Sequence, residues 1–301
     1  MVYWSLTSIE FQVQRSGGVE WLECEALRRL PWLRHSFSLR RGGVSSQPTG
    51  AEGLNLGFTP TDSRGAVEEN RRRFFHALGV EDFLFADVQQ VHSAYTLRAE
   101  RRGGAVAYVA GTACGSDAAR ESPPRGPTDQ SALKPEADAL VTRDPQVLLA
   151  IRTADCLPIL IADPVRQAVA AVHAGWRGTL AGVTEAAIAE MARAFGSIPA
   201  SLVAALGPSI RACCYEVGPE VEEAFRRRSP ENEKLFLRAS PEARARLDLV
   251  AAARAALERS GVPAFQIHVA NFCTACRTDF FFSHRKEGAR TGRMMAVIGI
   301  V

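Results

Sequence analysis

Four runs of apolar residues follow one another in the middle of the chain, with only short polar breaks between them. They are ADALVT, QVLLAIRT, LPILIAD and QAVAAVHA, and together they fill most of residues 137–174. Each run has the length of a strand and is too short for an average helix. Apolar runs without polar alternation are typical of strands that are buried on both faces. The core must therefore be built around sheets that are covered on both sides.

The rest of the chain supplies patterns that fit such a cover. Residues 64–79 place apolar side chains on one side and charges on the other, and Gly79 is a plausible end of that helix. The sequence predicts helices at 64–79, 180–195, 218–227 and 241–260, and further strands at 36–45, 83–92, FQIHVA and RMMAVIGIV. The strand at 36–45 is expected to run into a Gly-Gly loop. This mixture predicts an α/β (α+β) protein with sheets covered by helices.

Residues 100–135 differ from their surroundings, because they are rich in Gly, Ala, Ser, Pro and Arg and show little periodicity. This composition predicts a long, flexible surface loop. The patterns of the strands on either side of it predict that they belong to the same core. We therefore expect one domain over residues 1–301, with a flexible insertion at about 100–135.

Composition excludes several classes of protein. The chain has 301 residues, 47% of them hydrophobic, and a formal net charge of +3. The basic residues are scattered among acids, which argues against nucleic-acid binding, and no apolar run is long enough to span a membrane. The seven cysteines are odd in number and irregularly spaced, which does not fit a secreted disulfide scaffold, and the N-terminus lacks the pattern of a signal peptide. We expect a cytoplasmic protein that acts on a small molecule, with a monomer as the default state.

Cys156 and His173 form the first candidate pair. Cys156 lies in TADCLP directly after one central strand, and His173 lies at the end of the next strand but one. Two short turns can bring both residues to the same edge of a sheet. A thiolate and an imidazole are good zinc ligands, but they can equally form a nucleophile–base pair. A buried structural cysteine beside an unrelated histidine is the third alternative.

His92 is a candidate third ligand, because it stands at the end of the strand predicted at 83–92. Three protein ligands leave a fourth position for water or substrate, which a catalytic zinc site requires. A histidine with a purely structural role is the alternative here.

Arginines beside glycine turns mark candidate sites for an anion. The turn at Ala174–Gly178 precedes the predicted helix at 180–195, and free N–H groups at a helix N-terminus attract anions. The segment Phe280–Met294 combines arginine, which suits phosphate, with aromatic rings that can stack on a purine. An ordinary turn and a solvated basic loop are the respective alternatives. The arginines selected in this way are Arg177, Arg285, Arg290 and Arg293, with Arg40 and Arg41 as weaker candidates.

Cys273 and Cys276 form a CxxC motif. A structural zinc would need two more ligands, and Cys213 and Cys214 are adjacent rather than spaced as in common zinc motifs. A redox role is a second alternative, but the sequence favours incidental packing of these thiols.

A set of segments, taken in order, resembles the YfiH-type family over about residue 35 to the C-terminus. The segments are SFSLRRGGVS, GLNLG, QQVH, ADALVT, TADCLPIL, AAVHAGWRGT, ALGPSIRACCYEVG and FFSHRKEGARTGRM. This family was long described as laccase-like multicopper polyphenol oxidoreductases. It is now described as purine nucleoside phosphorylases with adenosine deaminase and methylthioadenosine phosphorylase activity.

The resemblance implies a fold of α-β-β-α layers and a zinc site. Its ligands would be His92, Cys156 and His173, which are also the implied catalytic residues. Substrate and phosphate contacts would come from Arg40, Asn55, Arg177 and Arg285. The family's FFSYR is FFSHR here, which places His284 where a tyrosine is usual, and the 100–135 segment is longer than expected.

Several functions stay open at this point. The resemblance implies phosphorolysis of adenosine, inosine, guanosine and methylthioadenosine, with phosphate held by arginines, and deamination with Asp138 or Asp155 as the acid or base. A copper oxidase is a rival, since a His₂Cys site with Met294 or Met295 could bind copper, but six histidines are few for several coppers. The other rivals are a Cys156–His173 hydrolase or amidase that edits peptidoglycan precursors, and a metal-binding protein without activity.

Overall fold

The computed structural model describes residues 10–46, 52–111 and 134–301, and these form sixteen strands and seven α-helices. The strands are β1 (Phe11–Ser16), β2 (Val19–Cys24), β3 (Leu33–Ser38), β4 (Arg41–Ser45), β5 (Leu84–Ala86), β6 (Thr96–Arg102), β7 (Ala105–Ala110), β8 (Ala139–Thr142), β9 (Val147–Thr153), β10 (Leu157–Asp163), β11 (Ala168–Ala174), β12 (Val203–Leu206), β13 (Phe236–Leu237), β14 (Arg246–Leu247), β15 (Ile267–Val269) and β16 (Met294–Ile300). The helices are α1 (Glu25–Arg28), α2 (Arg64–Leu78), α3 (Trp176–Ala181), α4 (Val183–Phe195), α5 (Pro219–Arg228), α6 (Leu249–Arg259) and α7 (His284–Glu287).

Two mixed sheets carry most of these strands. The first has the order β1-β2-β3-β16-β9-β5, and only its β9–β5 pair is parallel. The second has the order β15-β12-β10-β11-β8-β6-β7, with β15–β12 and β8–β6 as its parallel pairs. The four central apolar runs are strands β8 to β11, as predicted, but β9 lies in the first sheet and the other three lie in the second.

The sheets pack face to face, and helices cover their outer faces. Leu149 of β9 and Leu160 of β10 belong to the apolar cluster between the sheets. The next residue of β9, Ala150, packs with Phe74 of α2, whereas Ile161 of β10 packs with Met191 of α4. Both faces of each central strand are therefore buried, which explains the lack of polar alternation. The predicted α-β-β-α layers are confirmed.

Helix boundaries follow local chemistry. The helix predicted at 64–79 is α2, which ends at Gly79 with φ +64°. The helix predicted at 180–195 is two helices, α3 and α4, because Gly182 between them takes φ +89° and breaks the first. The prediction at 241–260 begins too early. Helix α6 starts at Leu249, where the Asp248 carboxylate caps it by accepting a 2.9 Å hydrogen bond from the Ala251 N–H.

Two predicted strands also differ from those observed. The strand predicted at 83–92 ends at Ala86, and a loop leads from there to His92. The predicted Gly-Gly loop at 42–43 is part of β4. A Cβ on Gly43 would lie 2.2 Å from the Gly53 carbonyl oxygen, so close approach of another backbone segment requires the glycine.

The prediction of a loop at 100–135 is wrong for the first part of that range. Strands β6 and β7 form a hairpin at the edge of the second sheet, and Gly103 and Gly104 make its turn. Residues 112–133 of the predicted flexible insertion lie outside the described residues. In the described ranges, no helix combines the length and the hydropathy that crossing a membrane requires.

Candidate active site

Strand pairing brings Cys156 and His173 together. Strands β10 and β11 are antiparallel and pair Leu157 with Ala174, so the start of one strand lies beside the end of the other. Cys156 immediately precedes β10, and His173 is the penultimate residue of β11. Both side chains therefore stand at the same edge of the second sheet, as the sequence predicted.

His92 joins them from the loop after β5. One ring nitrogen from each histidine and the Cys156 Sγ lie within 4.8 Å of one another. His92 Nε2 is 3.9 Å from the thiol sulfur, and the two imidazole rings meet nearly edge to face at 5.0 Å between centroids. His92 takes φ +63°, a conformation that non-glycine residues rarely adopt and that often marks a functional site.

Asp138 fixes two of these three residues. Its carboxylate is fully buried and accepts a 2.8 Å hydrogen bond from Nδ1 of His173, which leaves Nε2 to face the site. The other carboxylate oxygen accepts hydrogen bonds from the Ser93 N–H at 2.6 Å, the Ser93 hydroxyl at 2.8 Å and the Val91 N–H at 3.2 Å. These bonds hold the loop on either side of His92. A carboxylate behind a histidine in this way is usual at metal sites.

Cys156 and His173 each shift the pKa of the other. Burial alone would raise the pKa of Cys156, but the charge of His173 and hydrogen bonds from both histidines outweigh it and lower that pKa to about 6. Burial would lower the pKa of His173, but the Cys156 thiolate and the Asp138 carboxylate raise it to about 9. A lowered pKa favours the thiolate form of Cys156, which is the form in which a cysteine binds a metal or attacks as a nucleophile.

Gly175 leaves room for this cluster. A Cβ at this position would lie 2.9 Å from Cδ2 of His92 and 3.1 Å from the Cys156 sulfur, so any side chain would push into the donor atoms. The same turn leads into α3, whose first residues are Trp176 and Arg177. The glycine is therefore needed for space, and the turn sets the direction of Arg177.

This arrangement has two chemical capabilities. Two imidazoles and a thiolate that converge on one point match the donor set of a three-ligand metal site with an open position. The same residues also fit a second arrangement, in which Asp138 orients His173, His173 acts as the base and Cys156 acts as the nucleophile. The convergence of His92 on the same point favours the metal, because a nucleophile–base pair has no need of a second imidazole there.

The cluster lies on the wall of a cavity of about 700 Å³. Its lining includes the three aromatic side chains Phe58, Trp176 and Tyr215, and Phe58 is 45% exposed at the surface. It also includes four arginines, which are Arg152, Arg177, Arg285 and Arg293. Such a size and lining suit a small ligand with an aromatic ring and a negative charge.

Three of the four arginines have no carboxylate partner. Arg152 lies 3.5 Å from the Asp87 carboxylate, whereas the guanidinium groups of Arg177, Arg285 and Arg293 form no ion pair in the part of the chain that the structure describes. Arg177 instead lies over the Trp176 ring, and Arg285 donates a 2.9 Å hydrogen bond to the Glu216 carbonyl. Among the described residues the lining holds four arginines and one carboxylate, that of Asp155, and this excess of positive charge favours an anion.

Arg40 and Asn55 do not line this cavity. The Arg40 guanidinium is buried, pairs with Glu287 at 2.9 Å and donates to the carbonyl groups of Thr278 and Phe281. It therefore holds the segment before α7 rather than a ligand. The buried Asn55 side chain accepts hydrogen bonds from the N–H groups of Gly57 at 3.1 Å and Arg293 at 2.8 Å, and so positions two residues that do line the cavity.

The two carboxylates proposed from sequence as acids or bases are both engaged as acceptors. Asp138 has the role described above, and it is not exposed to the cavity. Asp155 lines the cavity and accepts from the hydroxyls of Thr274 at 2.6 Å and Ser283 at 2.8 Å and from the Arg285 N–H at 2.6 Å. Asp155 thereby anchors the loop that carries Arg285. His284 is exposed at the rim and is not among the three metal-ligand candidates.

Sequence reasoning missed several lining residues. Arg152 interrupts the apolar run of β9 near its end, and that charge in a buried strand was a usable signal. Tyr215 and Gln90 gave no comparable signal, because they stand in loops whose paths depend on tertiary contacts. Gln90 accepts a 2.8 Å hydrogen bond from the Arg152 N–H and so ties the loop before His92 to β9.

A second group of potential ligands lies on the loops next to the cavity. The sulfur atoms of Cys213, Cys214, Cys273 and Cys276 lie within 4.8 Å of one another. The sequence favoured incidental packing of the CxxC thiols because Cys213 and Cys214 are adjacent, but the structure brings that pair to the motif. The adjacent pair supplies the two missing thiols.

Comparisons with known proteins agree with this geometry. A family model described as multi-copper polyphenol oxidoreductase laccase matches residues 34–301. The purine nucleoside phosphorylase of Deinococcus radiodurans is 37% identical over 278 residues, which are 90% of this chain and 93% of that protein. Adenosine deaminase RL5 from an unknown prokaryotic organism is 41% identical over 165 residues, which are 55% of this chain and 63% of that protein. The crystal structure of the Bacillus licheniformis hypothetical protein YfiH matches with a TM-score of 0.78 and 31% identity, over 98% of this chain and 100% of that one.

Proposed function

The chain belongs to the multi-copper polyphenol oxidoreductase laccase family, which confirms the resemblance in its motifs, and on this basis we propose that it is a zinc-dependent purine nucleoside phosphorylase. Its substrates would be phosphate and adenosine, inosine, guanosine or methylthioadenosine. The relative from Deinococcus radiodurans carries the phosphorylase name over nearly its whole length. The cytoplasmic location and the monomeric state expected from the sequence stay predictions.

One observation carries the proposal. Three arginines that form no ion pair with any described residue line the cavity that also holds His92, Cys156 and His173. A phosphorolytic enzyme must bind an inorganic anion beside a neutral sugar and base. Arginine suits phosphate because its planar fork donates two parallel hydrogen bonds. The Phe58 ring at the same cavity is 45% exposed and offers apolar contact to a purine beside the Arg71 guanidinium, which lies over the ring at 4.7 Å.

The donor set fits zinc. His92, Cys156 and His173 would hold the ion, Asp138 orients one imidazole, and Gly175 leaves the space that the donors need. A thiolate with two imidazoles is a known combination for catalytic zinc, which acts as a Lewis acid toward a substrate oxygen.

In the proposed reaction, the chain's own residues bind and orient the anion. Arg177, Arg285 and Arg293 would hold phosphate so that one of its oxygens faces C1′ of the ribose. The new bond from that oxygen to C1′ forms as the bond from C1′ to the purine nitrogen breaks. The purine keeps the electron pair and takes up a proton, and ribose 1-phosphate remains. Positioning and charge stabilisation by fixed groups dominate such a transfer.

Adenosine deamination is a second proposed activity. The relative named adenosine deaminase RL5 supports it, since its 41% identity covers more than half of this chain. Deamination needs water and not phosphate. It should therefore depend on His92, Cys156 and His173 but not on the arginines that hold the anion.

Two rival functions fit the site less well. A multicopper oxidase needs several copper sites, but among the described residues only the group of His92, Cys156 and His173 combines histidines with another ligand. His35 is buried and accepts a 2.9 Å hydrogen bond from the Cys24 N–H, so it offers no ligand to such a site. A cysteine hydrolase would use Cys156 and His173 but would leave His92 without a role.

The deciding experiment measures metal and products together. Purified protein of known zinc and copper content is incubated with adenosine and with inosine, each with and without phosphate. We expect free base and ribose 1-phosphate only when phosphate is present, and inosine from adenosine in either case. A chelator should abolish both activities and zinc should restore them. Absence of turnover by protein with a full metal site would refute the proposal, and activity that survives complete metal removal would favour the cysteine hydrolase.

A further inference from the structure

We propose that Cys213, Cys214, Cys273 and Cys276 form a second zinc site, a closed structural one, that holds together the loops forming one wall of the cavity. The metal site does not depend on which reaction the cavity performs, and only the kinetic measurement of its role in the cavity wall rests on the proposed function. The inference of the site rests on the positions of four thiols from two distant parts of the chain and on the contacts that surround them.

The sulfur positions fit one tetrahedral ion. Cys276 Sγ lies 3.3 Å from the sulfur of Cys214 and 3.6 Å from that of Cys213, and all four sulfurs lie within 4.8 Å of one another. Bonds of about 2.3 Å from a tetrahedral zinc to sulfur place the sulfurs about 3.8 Å apart. A disulfide would need about 2.05 Å, so the four thiols are spaced for an ion at their centre and not for a bond between two of them.

Local structure explains how two adjacent cysteines can contribute. The N–H groups of Cys214 and Tyr215 both donate to the Arg211 carbonyl, at 2.9 and 3.0 Å, which closes a tight turn over Cys213 and Cys214. In the partner loop, the Arg277 N–H donates to the Cys273 carbonyl at 3.0 Å, which turns Cys276 back toward Cys273. The two turns face each other and present all four sulfurs to one point.

The surroundings of Cys273 resemble those of a thiolate ligand. The backbone N–H groups of Arg211 and Cys276 lie close enough to its sulfur to favour negative charge there. Backbone N–H groups that point at a sulfur stabilise negative charge there and orient the ligand, as outer contacts do at other metal sites. Cys273 is buried, whereas Cys213 and Cys276 are exposed, so the ion can enter from the surface.

The site would join the loops that shape the cavity. Ser209 and Cys273 form a bridge between the two loops, and the Thr274 N–H donates to the Ser209 carbonyl at 3.0 Å. Directly after Cys214 comes Tyr215, which lines the cavity, and the carbonyl of Glu216 accepts from the Arg285 guanidinium. The turn is also held by backbone hydrogen bonds from the Leu247 N–H to the Tyr215 carbonyl and from the Val217 N–H to the Ala245 carbonyl, both at the C-terminal side of the two cysteines, whereas the apolar cluster around Cys273 contains only Ile210 and Ala275 besides it among its buried residues. An ion on the four thiols therefore stabilises the position of Tyr215 and Arg285.

The first test counts metal in variants. Protein kept reduced is assayed for zinc per chain in a Cys156→Ala background, which removes a ligand of the first site. We expect one equivalent in that background and its loss on adding Cys276→Ser or Cys213→Ser. Cys24→Ala is the matched control, because Cys24 is a buried core thiol outside both groups, and it should leave the zinc content unchanged. An equivalent that persists in both serine variants would overturn the proposal.

The second test uses the unchanged chain, in case the serine variants do not fold. Cobalt is titrated into metal-free reduced protein and the absorption spectrum is recorded. The site is supported if the spectrum shows the visible bands of tetrahedral cobalt together with thiolate-to-cobalt charge-transfer absorption. The intensity of that absorption should correspond to four sulfur ligands. A spectrum with only the contribution of one thiolate overturns the proposed site. This readout is independent of turnover, so it separates a failure of this site from a failure of the proposed function.

A third measurement addresses the role in the cavity wall. In folded Cys276→Ser protein, we expect the KM for nucleoside or phosphate to rise at least ~10-fold with a smaller change in kcat, because Tyr215 and Arg285 lose their support. Faster cleavage by a protease near residues 211–216 should accompany the change. Unchanged KM and unchanged cleavage in protein that has lost the ion would contradict the clamping role.

Discussion

The Asp138 carboxylate and His173 Nδ1 are joined by a 2.8 Å hydrogen bond inside the protein, and both residues lie at the ends of neighbouring strands. Asp138 precedes β8 and His173 nearly ends β11, which pair side by side. The bond fixes which imidazole nitrogen carries the proton. It therefore directs the other nitrogen to the point where Cys156 and His92 also meet.

Asp138→Asn should weaken metal binding by about 10- to 100-fold, as loss of such an outer contact does elsewhere. The amide cannot accept from Ser93, Val91 and His173 as the carboxylate does, so the loop around His92 also loosens. Metal content after dialysis and a competition titration measure the effect. Asp163→Asn is the control, since Asp163 is equally buried but lies at the opposite end of β10. Equal metal affinity in wild type and Asp138→Asn would rule out the orienting role.

Gly175→Ala should reduce metal content and both activities while the fold persists. The added Cβ would lie 2.9 Å from the His92 ring and 3.1 Å from the Cys156 sulfur, closer than such atoms normally approach. The clash is most easily relieved if the His92 side chain moves away from the point where the three donor atoms meet. Gly65→Ala in α2 meets no atom within 4 Å and serves as the control. Circular dichroism and metal analysis of both variants suffice, and a Gly175→Ala protein with full metal and activity would contradict the tight packing described.

Arg177→Ala should separate the two proposed activities. Loss of a charge-assisted hydrogen bond to phosphate costs about 2 kcal/mol, which corresponds to a ~30-fold rise in the KM for phosphate. Deamination should stay within about 2-fold of wild type, because it needs no phosphate. Arg166→Ala, in the turn at the far end of β10 and β11, is the matched control. A parallel loss of both activities in Arg177→Ala would show that this arginine does more than bind the anion.

Arg40→Ala should instead lower stability. Its buried guanidinium pairs with the half-buried Glu287 and donates to two carbonyl groups, so removal leaves that carboxylate without its ion-pair partner and the carbonyl groups without this donor. Loss of hydrogen bonds to a charged group costs about 1.5–3 kcal/mol of the free energy of unfolding. Urea unfolding measures this loss. The KM for phosphate of the folded fraction should hardly change. A large rise in that KM with unchanged stability would instead support the anion-binding role that the sequence suggested for Arg40.

His35 should make the protein sensitive to acid. Burial lowers the pKa of His35 to about 3, from 6.5 for an unperturbed histidine. Between these values the unfolded chain binds a proton at this position and the folded one does not, so stability is full above pH 6.5 and falls as the pH drops. The loss is about 1.4 kcal/mol per pH unit, or about 2 kcal/mol between neutral pH and about pH 5.

The variant His35→Gln tests this. A glutamine can still accept from the Cys24 N–H but does not titrate. Urea unfolding at neutral pH and at about pH 5 should show a smaller loss in the variant than in wild type. Equal losses would assign the acid sensitivity to other groups.

The sequence by itself determined that the core consists of sheets covered by helices, and it determined most of these elements. Strands β8 to β11 were visible as apolar runs because a strand buried on both faces cannot alternate polar and apolar residues. The pair of Cys156 and His173 followed from strand order, since the start of one strand meets the end of its antiparallel neighbour. Those inferences needed only local pattern and short connections.

Tertiary structure alone decided the rest. The short β5, the loop to His92 and the hairpin of β6 and β7 are set by partners far away in the chain, such as Asp138 and β8. Arg40 and Arg177 have the same chemistry in the sequence, but Arg40 pairs with Glu287, whereas Arg177 lines the cavity and forms no ion pair with the residues that the structure describes. The four cysteines come together only because two distant loops pack against each other. Charge and ligand chemistry depend on which groups meet, and contacts between residues distant along the chain are not encoded in local spacing.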